Sequence, residues 1–237
     1  AWQVPQAAEA MRPLVGAQTF IVPLQNGIEA PERLVDVFGA AHVLGGLCRI
    51  IAHVVTPGHI RHVGAAPYIA FGEWDASSSQ RADALRQAFS KARGVTAEIA
   101  SDIRAAMWSK FLFIAALSGV GALTRAPIGV IRSQPESRRL LREALEEIYA
   151  VAVGNRIALP ADSVEKTLTF VDTLPAEGTA SMQRDIIQGR PSELESQVGA
   201  VVRLGNRLGI AVPLHRLIYA ALLPLERRAR GELEFTI

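Results

Sequence analysis

The segment MWSKFLFIAALSGVGALTR, residues 107–125, constrains the fold more than any other part of this 237-residue chain. Residues 111–117 are apolar without interruption, and a helix that is apolar on every side is normally buried. A single cation, Lys110, directly precedes this stretch. The chain must therefore build a core around a helix that carries an ammonium group near its head.

Lys110 also differs from most of the positive charge in the chain. Of 25 basic residues only three are lysine, and the other two, Lys91 and Lys166, lie among polar neighbours. A lysine beside apolar residues extends to water, finds a partner or loses its proton, and arginine cannot lose its proton in this way. Two interpretations stay open: the Lys110 stem packs on the helix while its head reaches water, or Lys110 donates a proton or hydrogen bond to a substrate oxygen.

Composition excludes several classes of protein. The net charge is only +2, and the densest basic run, residues 226–230, suits a solvated helix end, so nucleic-acid binding is not predicted. A single cysteine, Cys48, excludes an internal disulfide, and no Cys/His spacing predicts a metal site. The apolar run 111–123 is too short to span a bilayer, and no signal peptide is recognisable. A cytoplasmic protein without a membrane segment is expected.

Apolar runs and turn signals alternate in the first third of the chain. The pattern predicts a buried parallel strand over Gln18–Leu24 and a helix over Pro31–Phe38, closed by Gly39. A β-branched run then predicts a strand over Val43–Val55, followed by two shorter strands over Ile60–Val63 and Tyr68–Phe71. Strand, helix, strand and hairpin together predict an α/β layout.

The pattern becomes helical after about residue 79. A helix over residues 81–92 and a last short strand over 96–99 precede Ser101, a predicted N-cap. Almost everything that follows has helical periodicity, and the predicted helices cover 137–155, 163–174, 181–188, 192–208 and 214–230. We therefore predict an α/β domain over 1–100 and an all-α domain over 101–237.

The stretch Pro191-Ser192-Glu193-Leu194-Glu195 is a candidate site segment. Ser192 with Glu195 three residues later predicts a capping box, which leaves Glu193 free at the first helical position. Glu193 is then either a partner of the helix dipole or an acceptor for ligand hydroxyls.

Ser181 and Asn26 each carry a structural and a functional interpretation. Ser181 is a predicted cap for the helix after it, and a capping hydroxyl beside backbone N–H groups can also bind a carboxylate. Asn26-Gly27 predicts a turn, and at the carboxyl end of a parallel strand such a turn lies where open α/β sheets bind ligands.

Several stretches, in their order and spacing, resemble the ketopantoate reductase (2-dehydropantoate 2-reductase) family over nearly the whole chain. They are AWQV at 1–4, LQNG at 24–27, GG at 45–46, TPGHIRHVG at 56–64, DIRAAMWSK at 102–110 and SMQRDIIQGRPSELE at 181–195. The resemblance implies a partial Rossmann-type parallel-sheet domain and a helical domain resembling the C-terminal domain of 6-phosphogluconate dehydrogenase. The Gly-rich phosphate turn G-x-G-x-x-G does not occur here, so the first βαβ segment is expected to be missing from this chain.

The resemblance implies a role for each candidate residue. NADPH, the reduced form of NADP, would supply hydride to the 2-oxo carbon of ketopantoate in the cleft between the two domains, a step in pantothenate biosynthesis. Lys110 would hydrogen-bond the carbonyl oxygen and protonate it. Asn26 would contact the cofactor, Ser181 the substrate carboxylate, and Glu193 the hydroxyls of substrate or cofactor ribose. The resemblance also makes a homodimer plausible.

Two positions depart from the pattern of the family. Where its well-known members have asparagines four and eight residues after the lysine, this chain has Ile114 and Ser118. The Ser118 hydroxyl can still bond a substrate, whereas Ile114 cannot, which suggests a more apolar 2-oxo acid as an alternative substrate. A further alternative is a non-catalytic binding or dimerisation module that retains the helical core.

Overall fold

The computed structural model describes residues 1–236, apart from the side chains of residues 53 and 65. In chain order the elements are α1 (Val4–Met11), α2 (Ala30–Phe38), β1 (Gly45–Thr56), β2 (His59–Gly72), α3 (Gln80–Ser90), β3 (Thr96–Ile99), α4 (Ile103–Thr124), α5 (Ile128–Ser133), α6 (Pro135–Gly154), α7 (Ser163–Thr173), α8 (Ser181–Ile187), α9 (Val198–Leu208) and α10 (Pro213–Ala229). An α/β portion followed by an all-α portion confirms the predicted fold class.

The described residues divide into two compact units. The sheet unit comprises Gln3–Gln25 and Glu29–Met107. The helical unit comprises Ala1–Trp2, Asn26–Ile28 and the chain from Trp108 on. All the candidate site residues therefore belong to the helical unit, including Asn26, while the domain boundary near residue 100 stays a prediction.

The sheet is mixed. β1 and β2 form an antiparallel hairpin from Gly45↔Gly72 to Thr56↔His59, and β3 pairs with β2 in parallel. The hairpin turns at Pro57-Gly58, where Gly58 takes a positive φ of 79°. The two short strands predicted over 60–63 and 68–71 are parts of one strand of 14 residues, which an irregularity interrupts. Val63 pairs with Ile51 and Tyr68 with Arg49, and Gly64, with a positive φ of 80°, lies in the unpaired stretch between them.

The outer half of this hairpin exposes apolar side chains. Val54 and Ile60, which face each other across the ladder, are 73% and 68% exposed, and Ile50 and Ile51 are also exposed. Residues 45–72 contain arginines and histidines but no aspartate or glutamate. The inner half, in contrast, packs Leu47 and Ala70 into the core of the sheet unit.

The strand predicted over Gln18–Leu24 is wrong as an extended strand. Only Ile21 forms a parallel bridge, with Val43: its N–H donates to His42 O at 2.7 Å and its carbonyl accepts from Leu44 at 3.0 Å. Pro23 follows two residues later and has no N–H to continue a ladder. The segment is still held beside the sheet, and it leads directly to the Asn26-Gly27 turn.

Helix α4 contains the apolar segment and is mostly buried. It is capped by Asp102, whose side chain accepts from the Ala105 N–H at 2.9 Å, so the predicted Ser101 cap is wrong. By its length and mean hydropathy (1.5 over an 18-residue window) α4 is long and apolar enough to cross a membrane. The prediction that the apolar run 111–123 is too short to span a bilayer is therefore corrected for the helix as a whole. However, 67% of that window is buried within the protein, as expected for the central helix of a folded domain.

The remaining helices pack an apolar core with α4. The fully buried residues include Leu145 and Ile148 of α6, Val201 of α9 and Ile218 of α10. The predicted helix over 192–208 begins only at Val198, because residues 191–197 form a turn held by side chains. The short helix α5 was not predicted.

A carboxylate on α6 caps the start of α10. Glu147 accepts from the backbone N–H groups of Leu214 (2.8 Å) and His215 (2.9 Å) and lies 2.6 Å from His215 Nδ1. Nδ1 must carry the hydrogen of this bond, since a carboxylate only accepts. Burial alone would raise the pKa of Glu147, but these hydrogen bonds outweigh it and hold the pKa below its usual value. The sequence gives no local sign of this pair, whose members are 68 residues apart.

We expect Glu147→Gln to lower the free energy of unfolding at pH 7 by about 1–3 kcal/mol, because its amide NH₂ would face donors that now bond a carboxylate. A carboxyl with a lowered folded-state pKa stabilises fully above its unfolded-state pKa, and this contribution is lost as the pH falls through the folded-state value. The difference in stability between variant and wild type should therefore narrow as the pH falls from the ordinary carboxyl range through the lowered folded-state pKa of Glu147. Urea denaturation at a series of pH values from neutral to acid measures this difference.

The matched control for Glu147→Gln is Glu143→Gln. Glu143 lies on the same helix, is exposed, and pairs only loosely with Arg139 at 3.6 Å. Its substitution should change stability by less than about 0.5 kcal/mol. Equal losses in the two variants would contradict the role of Glu147 as a cap.

Candidate substrate and cofactor site

Asn26 and Glu193, two of the predicted site residues, are hydrogen-bonded to each other. Asn26 Nδ2 donates to Glu193 Oε2 at 3.0 Å across 167 residues of sequence. Gln197 Nε2 donates to the same oxygen at 2.9 Å. The Glu193 side chain is 15% exposed, and its other oxygen, Oε1, lies 3.6 Å from the Ala1 nitrogen. Two amides thus hold one carboxylate oxygen, and Oε1 keeps lone pairs for a further donor.

The Asn26-Gly27 turn reaches Glu193 because it packs closely on the turn at 191–197. Gly27 has a positive φ of 99°, and a Cβ placed on it would lie 3.1 Å from Ser196 O and 3.5 Å from Ser196 Cβ. Both the backbone conformation and the close contact therefore favour glycine at this position. The Asn-Gly pair predicted a turn, and the contact with Ser196 explains why the turn carries glycine here.

A buried carboxylate anchors the start of the 191–197 turn. The Ser192 N–H donates to both oxygens of Glu226, at 3.0 and 3.1 Å, and the Ser192 hydroxyl donates to it as well. Arg230 neutralises Glu226 at 2.6 Å, bonds Ser192 O at 3.1 Å and stacks its guanidinium on Trp2. The predicted capping box is wrong, because Ser192 bonds Glu226 and no helix begins at this residue.

Glu195, the other half of the predicted box, anchors the turn from the opposite side. It accepts from the Tyr219 hydroxyl of α10 and from Arg203 Nη1 of α9 at 2.8 Å. Burial and the bond to Glu195 raise the pKa of Tyr219 to about 12, so this hydroxyl remains a donor at any physiological pH. The residues on both sides of Glu193 are therefore fixed to α9 and α10, which restricts where its carboxylate can point.

Lys110 and Ser118 lie on α4. Lys110 is half-buried, and two of its neighbours in the sequence, Trp108 and Phe111, are buried. Ser118 is fully buried, and its hydroxyl has no hydrogen-bond partner among the described residues. The two are about 12 Å apart along the helix axis. Ile114, which lies between them, is half-buried.

The middle of α4 contacts both other site segments through glycines. A Cβ on Gly119 would lie 3.2 Å from Val198 Cγ2 at the start of α9, and one on Gly121 would lie 2.6 Å from Gln183 Oε1 of α8. Ser118 is thus next to the point where α4 meets the helix that follows Gln197. Small residues permit this close approach of the helices.

Ser181 is the first residue of α8 and is half-buried. Ala180 occupies the N-cap position, so the predicted capping role of the Ser181 hydroxyl is wrong. The backbone N–H of Ala180 instead donates to Gln183 Oε1 at 3.3 Å, and Gln183 Nε2 donates to Ala126 O at 2.9 Å. The Ser181 hydroxyl is therefore not required as the cap of its own helix.

Asn26, Glu193 and Gln197 together can bind and orient a hydroxyl of a small ligand, because the Glu193 carboxylate accepts hydrogen bonds. That Lys110, Ser118 and Ser181 belong to the same site stays a prediction. Among the described residues, no group of three or more His, Cys, Asp or Glu side chains is arranged to hold a metal ion. Sequence reasoning missed Gln197, whose position four residues after Glu193 was its only signal.

Family models match most of the chain. Residues 1–76 match the family "Ketopantoate reductase PanE/ApbA", and residues 102–226 match its C-terminal family, "Ketopantoate reductase PanE/ApbA C terminal". The second match begins at the predicted Asp102–Lys110 stretch and includes Lys110, Ser118, Ser181 and Glu193.

Curated relatives and solved structures agree with these matches. The "Uncharacterized oxidoreductase YkpB" of Bacillus subtilis is 32% identical over 94% of this chain and 73% of its own. The 2-dehydropantoate 2-reductase of Aquifex aeolicus is 29% identical over 90% and 70%. The structure of the 2-dehydropantoate 2-reductase of Methylococcus capsulatus aligns with a TM-score of 0.84 and 31% identity over 93% of this chain and 70% of that one.

The chain belongs to the ketopantoate reductase family, a family of oxidoreductases, as the resemblance predicted. The fold is also shared with a protein of much lower sequence identity. D-mandelate dehydrogenase, in a ternary structure with NADH and anilino(oxo)acetate, aligns with a TM-score of 0.85 at 17% identity over 97% of this chain and 75% of that one, a likeness of fold alone.

We expect Gly27→Ala to lower the free energy of unfolding more than Gly209→Ala does. Both positions have positive φ, 99° and 67°, which costs a residue with a Cβ about 1–2 kcal/mol. Only Gly27 also contacts Ser196, and overpacking there adds about 1–3 kcal/mol, whereas a Cβ on Gly209 meets nothing within 4 Å. Thermal unfolding of both variants measures the difference, and equal losses would contradict the close packing of the two turns.

Proposed function

We propose that this protein catalyses the reduction of the 2-oxo group of a 2-oxo acid by NADPH, with ketopantoate as the first candidate substrate. The observation that carries the proposal is the 3.0 Å hydrogen bond between Asn26 and Glu193, which joins two of the segments that resemble the family. Membership of the family and the relatives named 2-dehydropantoate 2-reductase support the same reaction.

The proposal gives each side chain one task. The cofactor, when bound, supplies the hydride to the 2-oxo carbon. Lys110 hydrogen-bonds the carbonyl oxygen and transfers its proton to that oxygen as negative charge develops there, which completes the alcohol. Ser181 binds the carboxylate of the substrate, and the Ser118 hydroxyl, which has no partner among the described residues, binds its polar end.

The groups around Asn26 fit the nicotinamide end of the cofactor. Asn26 offers an amide, and Glu193 Oε1, which lies 3.6 Å from the Ala1 ammonium, keeps a lone pair that is a suitable acceptor for a ribose or substrate hydroxyl. The neighbouring turns hold both side chains in place before any ligand binds. This rigidity favours catalysis, because little ordering is left for the moment of reaction.

Ile114 favours a second candidate substrate, a 2-oxo acid with an apolar tail. It stands one turn after Lys110, on the same face of α4, where an apolar side chain leaves a substrate hydroxyl without a partner. An unpaired buried hydroxyl costs about 1–3 kcal/mol. Lys110 would then protonate the 2-oxo group in the same way, on a 2-oxo acid with a different side chain.

A screen of ketopantoate and simpler 2-oxo acids with NADPH and NADH tests the reaction class. We expect oxidation of the cofactor, followed at 340 nm as the reduced nicotinamide absorbs there, with at least one 2-oxo acid. Ile114→Asn should shift kcat/KM towards ketopantoate by about 5- to 100-fold relative to apolar 2-oxo acids, since it restores one buried hydrogen bond. A protein that oxidises neither cofactor with any of these acids would favour a non-catalytic binding module.

Lys110→Ala should lower kcat by at least about 100-fold, because the developing alkoxide loses its proton donor. Circular dichroism and thermal unfolding should show an intact fold. Lys166→Ala is the matched control: Lys166 is an exposed lysine of the same unit, paired with Asp162 at 2.9 Å, and its loss should leave kcat unchanged. Near wild-type turnover by Lys110→Ala would exclude the assigned proton transfer.

A further inference from the structure

Gln197 is a buried amide whose orientation is fixed by its partner. Its side chain is fully buried, and its NH₂ group donates to Glu193 Oε2 at 2.9 Å. Because an ionised carboxylate only accepts hydrogen bonds, the amide cannot be turned the other way. Its carbonyl, Oε1, therefore points away from Glu193, and it has no partner among the described residues.

A side chain in this state does not favour folding. A buried carbonyl without a partner loses its bonds to water and gains none in return. Leucine, of similar volume, would fill the same space without this loss. The presence of a glutamine at this position therefore points to a function for its other end, the bond to Glu193.

We propose that Gln197 is a positioning residue, which orients the Glu193 carboxylate for a hydroxyl group of the bound ligand. This inference rests on the proposed function. Asn26 comes from the turn after residue 25 and Gln197 from the residue before α9, so two separate segments supply donors to one oxygen. Rotation of the carboxylate would break both bonds, and Glu193 Oε1 is thereby kept in place as the acceptor.

The arrangement also limits what the ligand can be. An oriented carboxylate acceptor favours a ligand that carries a hydroxyl and disfavours one that places an apolar group or an anion there. The site around Glu193 is thus suited to a hydroxylated substrate or to a ribose. In this scheme Gln197 does not contact the ligand, and it affects ligand binding only through Glu193.

The test compares Gln197→Leu, Glu193→Gln and the double variant with the wild-type enzyme. Gln197→Leu should keep or raise the Tm and leave kcat within about twofold of the wild-type value. It should raise KM about tenfold for the ligand whose hydroxyl Glu193 binds, which is the effect of one charge-assisted hydrogen bond. KM is measured for both the 2-oxo acid and the cofactor. In the Glu193→Gln background, Gln197→Leu should cause no further rise in KM.

The control is Glu147→Gln, which should lower the Tm without changing either KM. A Gln197→Leu variant with a lower Tm and unchanged KM would overturn the inference in favour of a structural amide. A rise in KM of equal size in the wild-type and Glu193→Gln backgrounds would also overturn it, since Gln197 would then act independently of Glu193. Wild-type protein that reduces no 2-oxo acid overturns the proposed function itself, and the inference with it.

Discussion

The burial of α4 is the constraint on which the helical unit depends. A helix with apolar residues on every side requires packing neighbours on every side. Where two of these neighbours approach α4 closely, α4 has a glycine in place of a larger residue. Gly119 meets the start of α9 and Gly121 meets α8, so the segments that carry Glu193 and Ser181 are brought to the middle of one helix. The packing that satisfies an apolar sequence also determines where its polar residues lie.

The order of elements could be predicted because it follows from local patterns. Pro31 and Gly39 bound α2, the β-branched run gives β1, and the apolar segment gives α4. The predictions failed where partners distant in sequence decided the structure. Ser192 and Glu195 have the spacing of a capping box, but Glu226 and Tyr219 compete for them, and the segment becomes a turn.

The site could be predicted in part for the same reason. Lys110 was recognisable as a lysine in an apolar setting. Asn26 and Glu193 were candidates because of their turn and helix-start patterns, and the resemblance to a family gave them their predicted roles. Their contact across 167 residues has no local signature, and neither has the amide of Gln197 that completes it. A residue whose role is to hold another side chain becomes visible only when the chain is folded, because its own surroundings in the sequence are ordinary.

The exposed half of the β-hairpin has a consequence for how copies of this chain meet in solution. Within the described residues, no strand pairs with the outer edge of β1 beyond Gly45, and such an edge with isoleucine and valine on it is a template for further strands. Each copy, however, carries the exposed Arg49 and Arg61 on this hairpin and no aspartate or glutamate, so two such edges repel each other. Repulsion between like charges thus opposes the pairing of two hairpin edges, and this repulsion weakens as the salt concentration rises.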